Sequence, residues 1–102
     1  MKIKERQLRK LLSQYHLTEF ETEVLIATAS IEEGKTLTYK ELAERIGRPN
    51  SYRAVGNALG RNPLAPEIPC HRVIKSSGEL GGYSGKGGSL KKKRLLRSEN
   101  AI

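Results

Sequence analysis

The only cysteine in the chain, Cys70, directly precedes one of its two histidines, His71, in the run Pro69-Cys70-His71-Arg72-Val73. A thiol is a sluggish nucleophile until its proton is removed, and a neighbouring imidazole or cation is the usual means of favouring the thiolate. His71 and Arg72 could each serve. The competing reading is a small buried filler with no chemistry, the commoner fate of a lone cysteine. If Cys70 and His71 were both extended, their side chains would point to opposite faces. A productive pair therefore needs a turn at Pro69 or a water between sulfur and ring. His71 would also need a third group to orient it, and Glu99 is the best-placed carboxylate, on the inward side of the last helix.

The elements that must position these groups are short. Leu8, Leu11, Leu12 and Tyr15 recur at helical spacing and predict an amphipathic helix over about residues 4 to 15, basic outside. Thr18-Glu19-Phe20-Glu21 has the form of a capping box and opens a second helix with Phe20, Val24, Ala27 and Ile31 as apolar positions, ended by a turn at Gly34. Thr38-Tyr39-Lys40-Glu41 repeats the box, with Tyr39, Leu42, Ala43 and Ile46 inward and Gly47 where a left-handed cap belongs. Ser51 is the expected cap of a fourth helix, Tyr52 to Leu59, whose inner stripe is Tyr52, Val55 and Leu59. Its other side carries Arg53, Gly56, Asn57 and Gly60. Glycine costs about 1 kcal/mol in a helix interior, so a face built from it implies close approach of something else. Two short helices joined by Gly47-Arg48-Pro49-Asn50, the second bare-faced and basic, predict a helix-turn-helix that meets DNA; tight packing on another protein element would leave the same pattern.

Beyond Asn62, prolines at 63, 66 and 69 impose a stiff path onto Cys70. Arg72 to Lys75 reads as a strand, Ser76-Ser77-Gly78 as a turn, and Glu79 to Tyr83 as its hairpin partner. Ser89 is the expected cap of a final basic helix through Lys91, Lys92, Lys93 and Arg94, with Leu95 and Leu96 inward. The fold class expected is mainly α, a winged helix-turn-helix with a short β-hairpin wing.

Composition bounds the rest. At 102 residues the chain is read as one domain, 1–102. One cysteine makes no internal disulfide, and the Cys and His residues are too few for a four-ligand structural zinc site, so a metal-free protein of a reducing compartment is expected. Met1-Lys2-Ile3-Lys4-Glu5-Arg6 lacks the apolar run of a signal peptide, and no stretch is of membrane-spanning length, which predicts an intracellular protein with no membrane partner. Nineteen basic against eleven acidic residues, a net charge of +8, point to a polyanionic partner, nucleic acid first. A heat-adapted surface rich in Lys and Glu gives a similar composition.

From about Phe20 to Glu99 the chain resembles the O6-alkylguanine-DNA alkyltransferases, or methylated-DNA-protein-cysteine methyltransferases. Pro69 to Val73 resembles the family's active-site signature, Tyr52 to Leu59 its recognition helix, Asn62-Pro63 its hinge asparagine and Thr38 to Ala43 its first DNA-side helix. Gly82-Tyr83-Ser84-Gly85 resembles its lesion-pocket loop, and Leu95 to Glu99 the segment with its buried glutamate. The resemblance implies that Cys70 accepts the alkyl group once, irreversibly, with His71 as its base through water and Glu99 orienting His71. It implies that Asn62 braces the turn and that Tyr39 protonates the guanine leaving group. Arg53 would fill the place of a flipped nucleotide, with Ala54, Gly56, Asn57 and Tyr39 also on the DNA side, and Pro69, Tyr83 and Ser84 would line the pocket. Docking would be in the minor groove of double-stranded DNA containing O6-alkylguanine, by a monomer without cofactor, in the cytoplasm at the nucleoid or in a nucleus.

Two departures stand out: the family's usual N-terminal domain is not evident, so a single-domain variant is expected, and the stretch from Tyr83 to Glu99 is longer than in many relatives. Glu67 is acidic where an apolar residue is expected and is read as facing solvent. Two other functions compete. One is a non-catalytic lesion binder of the alkyltransferase-like kind, a class without the cysteine; the other is a winged-helix regulator in which Cys70 is incidental or redox-sensing.

Overall fold

The computed structural model describes residues 4–65, 67–77 and 88–102, the side chain of Ser89 excepted. Helix α1 (Glu5–Leu12) is followed by a 3-10 turn (Ser13–Tyr15), α2 (Glu19–Ala29), β1 (Leu37–Thr38), α3 (Tyr39–Arg45) and α4 (Tyr52–Leu59). A second 3-10 turn (Cys70–Arg72), β2 (Val73–Ile74) and α5 (Gly88–Ser98) complete the order. The fold is mainly α, as expected. No helix among the described residues is long and apolar enough to cross a membrane.

Both expected capping boxes are formed. Thr18 Oγ1 accepts from the Glu21 amide while Glu21 Oε1 accepts from the Thr18 amide, and Thr38 and Glu41 do the same at α3. Each satisfies two of the amides a helix start leaves unpaired. Gly47 closes α3 with φ +76°, and the Gly47 and Arg48 amides bond back to the carbonyls of Glu44 and Ala43. That pair of bonds is the Schellman pattern, which needs a left-handed residue at Gly47 and turns the chain sharply into α4.

Val24 and Leu25 of α2, Leu42 and Ala43 of α3, and Val55, Ala58 and Leu59 of α4 fill one core with Leu8 and Leu12 of α1. Each large aliphatic side chain buried there stabilises the fold by about 1.5–3 kcal/mol. Ile31, Ile68, Cys70 and Val73 join the same core, so the segment bearing the thiol is packed directly onto the helix-turn-helix.

Three local expectations are corrected. The first helix tightens to 3-10 after Leu12, and at three residues per turn Tyr15 rotates off the Leu8–Leu12 line; Leu11 and Tyr15 are exposed. Ser51 precedes α4 but its side chain accepts no capping bond, because its backbone (φ −101°, ψ 23°) lies outside the extended region a capping residue uses. Tyr52, in the first turn of α4, projects past the core and is 48% exposed, so Val55, Ala58 and Leu59 form the inner face. Besides these, β2 covers Val73–Ile74 and pairs with β1 in parallel, Leu37 opposite Val73 and Thr38 opposite Ile74, a pairing the sequence reading did not include. The expected hairpin partner, Glu79 to Tyr83, lies outside the described residues, as does the side chain of the expected cap Ser89.

Candidate active site and DNA-facing helix

Pro69 is the first device of the site. With φ −80° and ψ 65° it centres a tight turn in which the Cys70 amide bonds the Ile68 carbonyl at 2.8 Å. The proline ring fixes φ, leaving little freedom to lose. Asn62, buried, braces the approach: Nδ2 donates to the same Ile68 carbonyl at 2.8 Å and Oδ1 accepts from the Leu64 amide at 3.0 Å. Glu67 in that loop is exposed. The chain then enters the 3-10 turn Cys70–Arg72, with the Arg72 amide on the Pro69 carbonyl. Cys70 and His71 are therefore turned, not extended, and both are buried. The divergence feared for an extended pair does not arise.

His71, 2% exposed, places Nε2 3.0 Å from Glu99 Oε2. Glu99 sits just past the end of α5. There Asn100 takes a left-handed backbone (φ 59°) and the amides of Asn100 and Ala101 bond back to the carbonyls of Arg97 and Leu96. A carboxylate at this negative helix pole is disfavoured. Arg72 offsets the cost: Nε donates to Glu99 Oε1 at 2.9 Å and Nη2 to Oε2 at 2.7 Å, while Nη1 reaches the Ile31 carbonyl at 2.7 Å. Arg72, read from the sequence as a possible activator of the thiol, is thus committed to Glu99 and to the end of α2.

Electrostatics follow the geometry. Burial pushes His71 below the ordinary imidazole range, and the Glu99 carboxylate only partly restores it, so the ring is neutral near pH 7. Burial alone would raise Glu99, but hydrogen bonds from Arg72 and His71 outweigh it and hold the carboxyl below its usual range. An ionised Glu99 accepts, so Nε2 carries the proton and Nδ1 is the basic nitrogen of His71. Tyr39, the first residue of α3, is raised by burial and by the Cys70 charge, and so stays a proton donor at neutral pH.

The residue that sequence reasoning missed is Lys92. Expected on a solvated basic face with Lys91 and Lys93, it is fully buried; Nζ donates to the Val73 carbonyl at 2.6 Å and lies 5.7 Å from the Tyr39 ring centroid. Burial lowers it to about 8, opposed by attraction to Cys70. A signal existed: Lys92 stands four residues before the buried Leu96, on the same helix face.

On α4, Arg53, Ala54 and Asn57 are exposed. Gly56 is half-buried, and a Cβ there would stand 3.8 Å from the Tyr39 ring, so what approaches this glycine is the tyrosine. The structure thus gathers Cys70, His71, Glu99, Asn62, Pro69 and Tyr39 behind the helix bearing Arg53. Tyr83 and Ser84 lie outside the described residues.

Residues 19–101 match the family described as 6-O-methylguanine DNA methyltransferase, DNA binding domain. The methylated-DNA-protein-cysteine methyltransferase of Methanosarcina barkeri is 51% identical over 85 residues, 83% of this chain and 53% of that protein. That of Mycobacterium tuberculosis H37Rv is 48% identical over 79 residues, 78% of this chain and 46% of that protein. The chain therefore spans about half the length of the curated relatives it matches. Among solved structures, Mycobacterium tuberculosis OGT in complex with DNA is similar with a TM-score of 0.79 and 45% identity, covering 84% of this chain and 52% of that one. S. pombe Atl1 in complex with damaged DNA containing O6-carboxymethylguanine has a TM-score of 0.71 and 34% identity, covering 82% and 78%.

Proposed function

The chain belongs to the 6-O-methylguanine DNA methyltransferase family, through its DNA-binding domain, and on that premise we propose that it repairs DNA by moving one alkyl group from guanine O6 to Cys70. The sulfur bonds the alkyl carbon as the carbon–O6 bond breaks. The thiol proton passes through a water to His71 Nδ1, and the departing guanine takes a proton from Tyr39. The thioether is not hydrolysed, so each molecule acts once. The single observation that carries the reading is the buried Cys70-His71 turn with His71 Nε2 3.0 Å from Glu99 Oε2. An imidazole fixed in this tautomer is a base poised for proton transfer at neutral pH.

A base in a duplex hides O6, so the nucleotide must be extruded at a cost of a few kcal/mol. Arg53 fills the vacated place while the exposed Ala54 and Asn57 let α4 press into the minor groove, and Gly56 leaves room behind them for Tyr39. Asn62 keeps the thiol turn rigid and Pro69 lines the lesion pocket, while the family resemblance alone assigns Tyr83 and Ser84 to it. Lys92 adds a cation: Cys70 attracts the buried ammonium and offsets part of the cost of its burial. The protein works as a monomer on double-stranded DNA, in the cytoplasm at the nucleoid or in a nucleus.

Intact-mass measurement after incubation with an O6-methylguanine duplex tests this. One methylene equivalent should appear on the peptide containing Cys70, at one per chain, and none on Cys70→Ala. The second reading, a lesion binder that does no chemistry, is favoured by one observation: the likeness to S. pombe Atl1 covers 78% of that protein. Tight binding to lesion DNA with no mass gain by the wild-type chain would select it.

A further inference from the structure

Resting on the reading that His71 is the base for Cys70, we infer that Arg72 is a positioning residue for alkyl transfer, acting through Glu99 on the orientation and tautomer of His71. Arg72 lies one residue from His71 in the 3-10 turn and two from the nucleophile, yet its guanidinium points back to the end of α5. Its two bonds to Glu99, 2.9 and 2.7 Å, form a bidentate fork, an arrangement that favours a shared plane of guanidinium and carboxylate. A glutamate carboxylate otherwise rotates broadly about its last torsion. Here Oε2 is shared between Arg72 Nη2 and His71 Nε2, so fixing the plane aims that oxygen at the imidazole.

The third bond, Nη1 to the Ile31 carbonyl at 2.7 Å, anchors the fork to the end of α2. Gly34 in the following turn presses from the same side, since a Cβ there would stand 3.3 Å from the Glu99 carbonyl oxygen. Glu99 is thereby held by α2 and by the thiol turn as well as by its own helix. A lysine could supply the charge but not the fork. The charged groups acting on His71 are Glu99 and Lys92 from the last helix and its end, and Arg72 from its own turn; the segment after α2 contributes the Ile31 carbonyl that holds Arg72.

The test compares wild type with Arg72→Lys, and with Arg72→Gln as a second variant. Single-turnover methyl transfer from an O6-methylguanine duplex is followed by intact mass from about pH 5.5 to 9, beside urea unfolding and duplex affinity. Both variants should fold and bind the duplex nearly as wild type, while transfer slows about tenfold or more. The acid limb of the rate profile should move to higher pH, because Glu99 loses the donors that keep it ionised and, in Arg72→Gln, His71 loses a cation that holds it down. A wild-type rate in Arg72→Lys overturns the inference. So does a slower rate with an unshifted acid limb, and so does loss of the fold in both variants, which would make Arg72 a structural brace alone. A wild-type chain that gains no mass from the duplex removes the underlying reading instead.

Discussion

Lys92 Nζ donates to the backbone carbonyl of Val73 at 2.6 Å, tying the last helix to the strand that leaves the Cys70 turn. A fully buried ammonium is costly. Its retention near Cys70 and Tyr39 puts it with the candidate site, because perturbed titratable groups gather where charge is used.

The first prediction follows from that burial. Lys92 falls to about 8 in the folded chain from an ordinary value of 10.5. The unfolded lysine holds its proton over a range in which the folded one has lost it, so the penalty is fully present below pH 8 and is relieved as pH rises toward 10.5. Wild type should therefore gain about 2 kcal/mol relative to Lys92→Met between roughly pH 7 and 10, read by urea unfolding. Lys92→Met should also slow transfer at pH 7, since the buried cation 5.7 Å from the Tyr39 ring centroid is gone. An unchanged stability difference across that range would show that the ammonium is solvated.

His71 and Glu99 should behave as one unit. His71→Ala and Glu99→Gln should each slow transfer, with the double change costing little more than the worse single one; fully additive losses would separate them. Because His71 titrates below the ordinary 6.5, the transfer rate should hold its plateau to about pH 6.5 and fall only beneath it. Stability has two parts with the same sign. The buried neutral imidazole costs stability as pH drops below 6.5. The contribution of Glu99 is present above its unfolded value and lost as pH falls through its lower folded one.

Much of this was legible from residue order. The two capping boxes and Gly47 punctuate the helix-turn-helix by local chemistry alone, and each forms as read. A turn at Pro69 was one of two ways left open to bring Cys70 and His71 together, and Cys70, His71 and Glu99 were named from types and spacing. What was not legible depends on tertiary contact. The β1–β2 pairing joins residues far apart in sequence, which no hairpin pattern foretells. Lys92 was hidden in a lysine run whose neighbours are exposed, and only the i, i+4 relation to Leu96 hinted otherwise. Arg72 reads as a possible thiol activator until its bonds to Glu99 and to the Ile31 carbonyl are known.

Two glycines with positive φ should part company. Gly34 (φ +88°) has the Glu99 carbonyl oxygen 3.3 Å from where a Cβ would stand, whereas Gly47 (φ +76°) has nothing within 4 Å. Both alanine changes should destabilise by about 1–2 kcal/mol through backbone strain. Only Gly34→Ala should also slow methyl transfer, several-fold, by displacing Glu99. Equal kinetics in the two folded variants would mean that the turn after α2 does not position the site.

The last prediction separates extrusion of the base from simple charge attraction. Arg53 is exposed on α4, as are Lys91 and Lys93 on α5, so burial does not distinguish them. An arginine that replaces the flipped nucleotide stabilises the extruded state, whereas an exposed lysine contributes a screened phosphate contact. Arg53→Ala should sharply slow repair of duplex DNA yet barely affect reaction with a free O6-alkylguanine base, which needs no unstacking. Lys91→Ala and Lys93→Ala should weaken binding to all DNA alike and flatten its salt dependence by about one unit of slope per contact. Lys92 does not belong in that comparison, being buried. If Arg53→Ala lost as much activity on the free base as on the duplex, Arg53 would be supporting the pocket or the fold, and the insertion role would have to be given up.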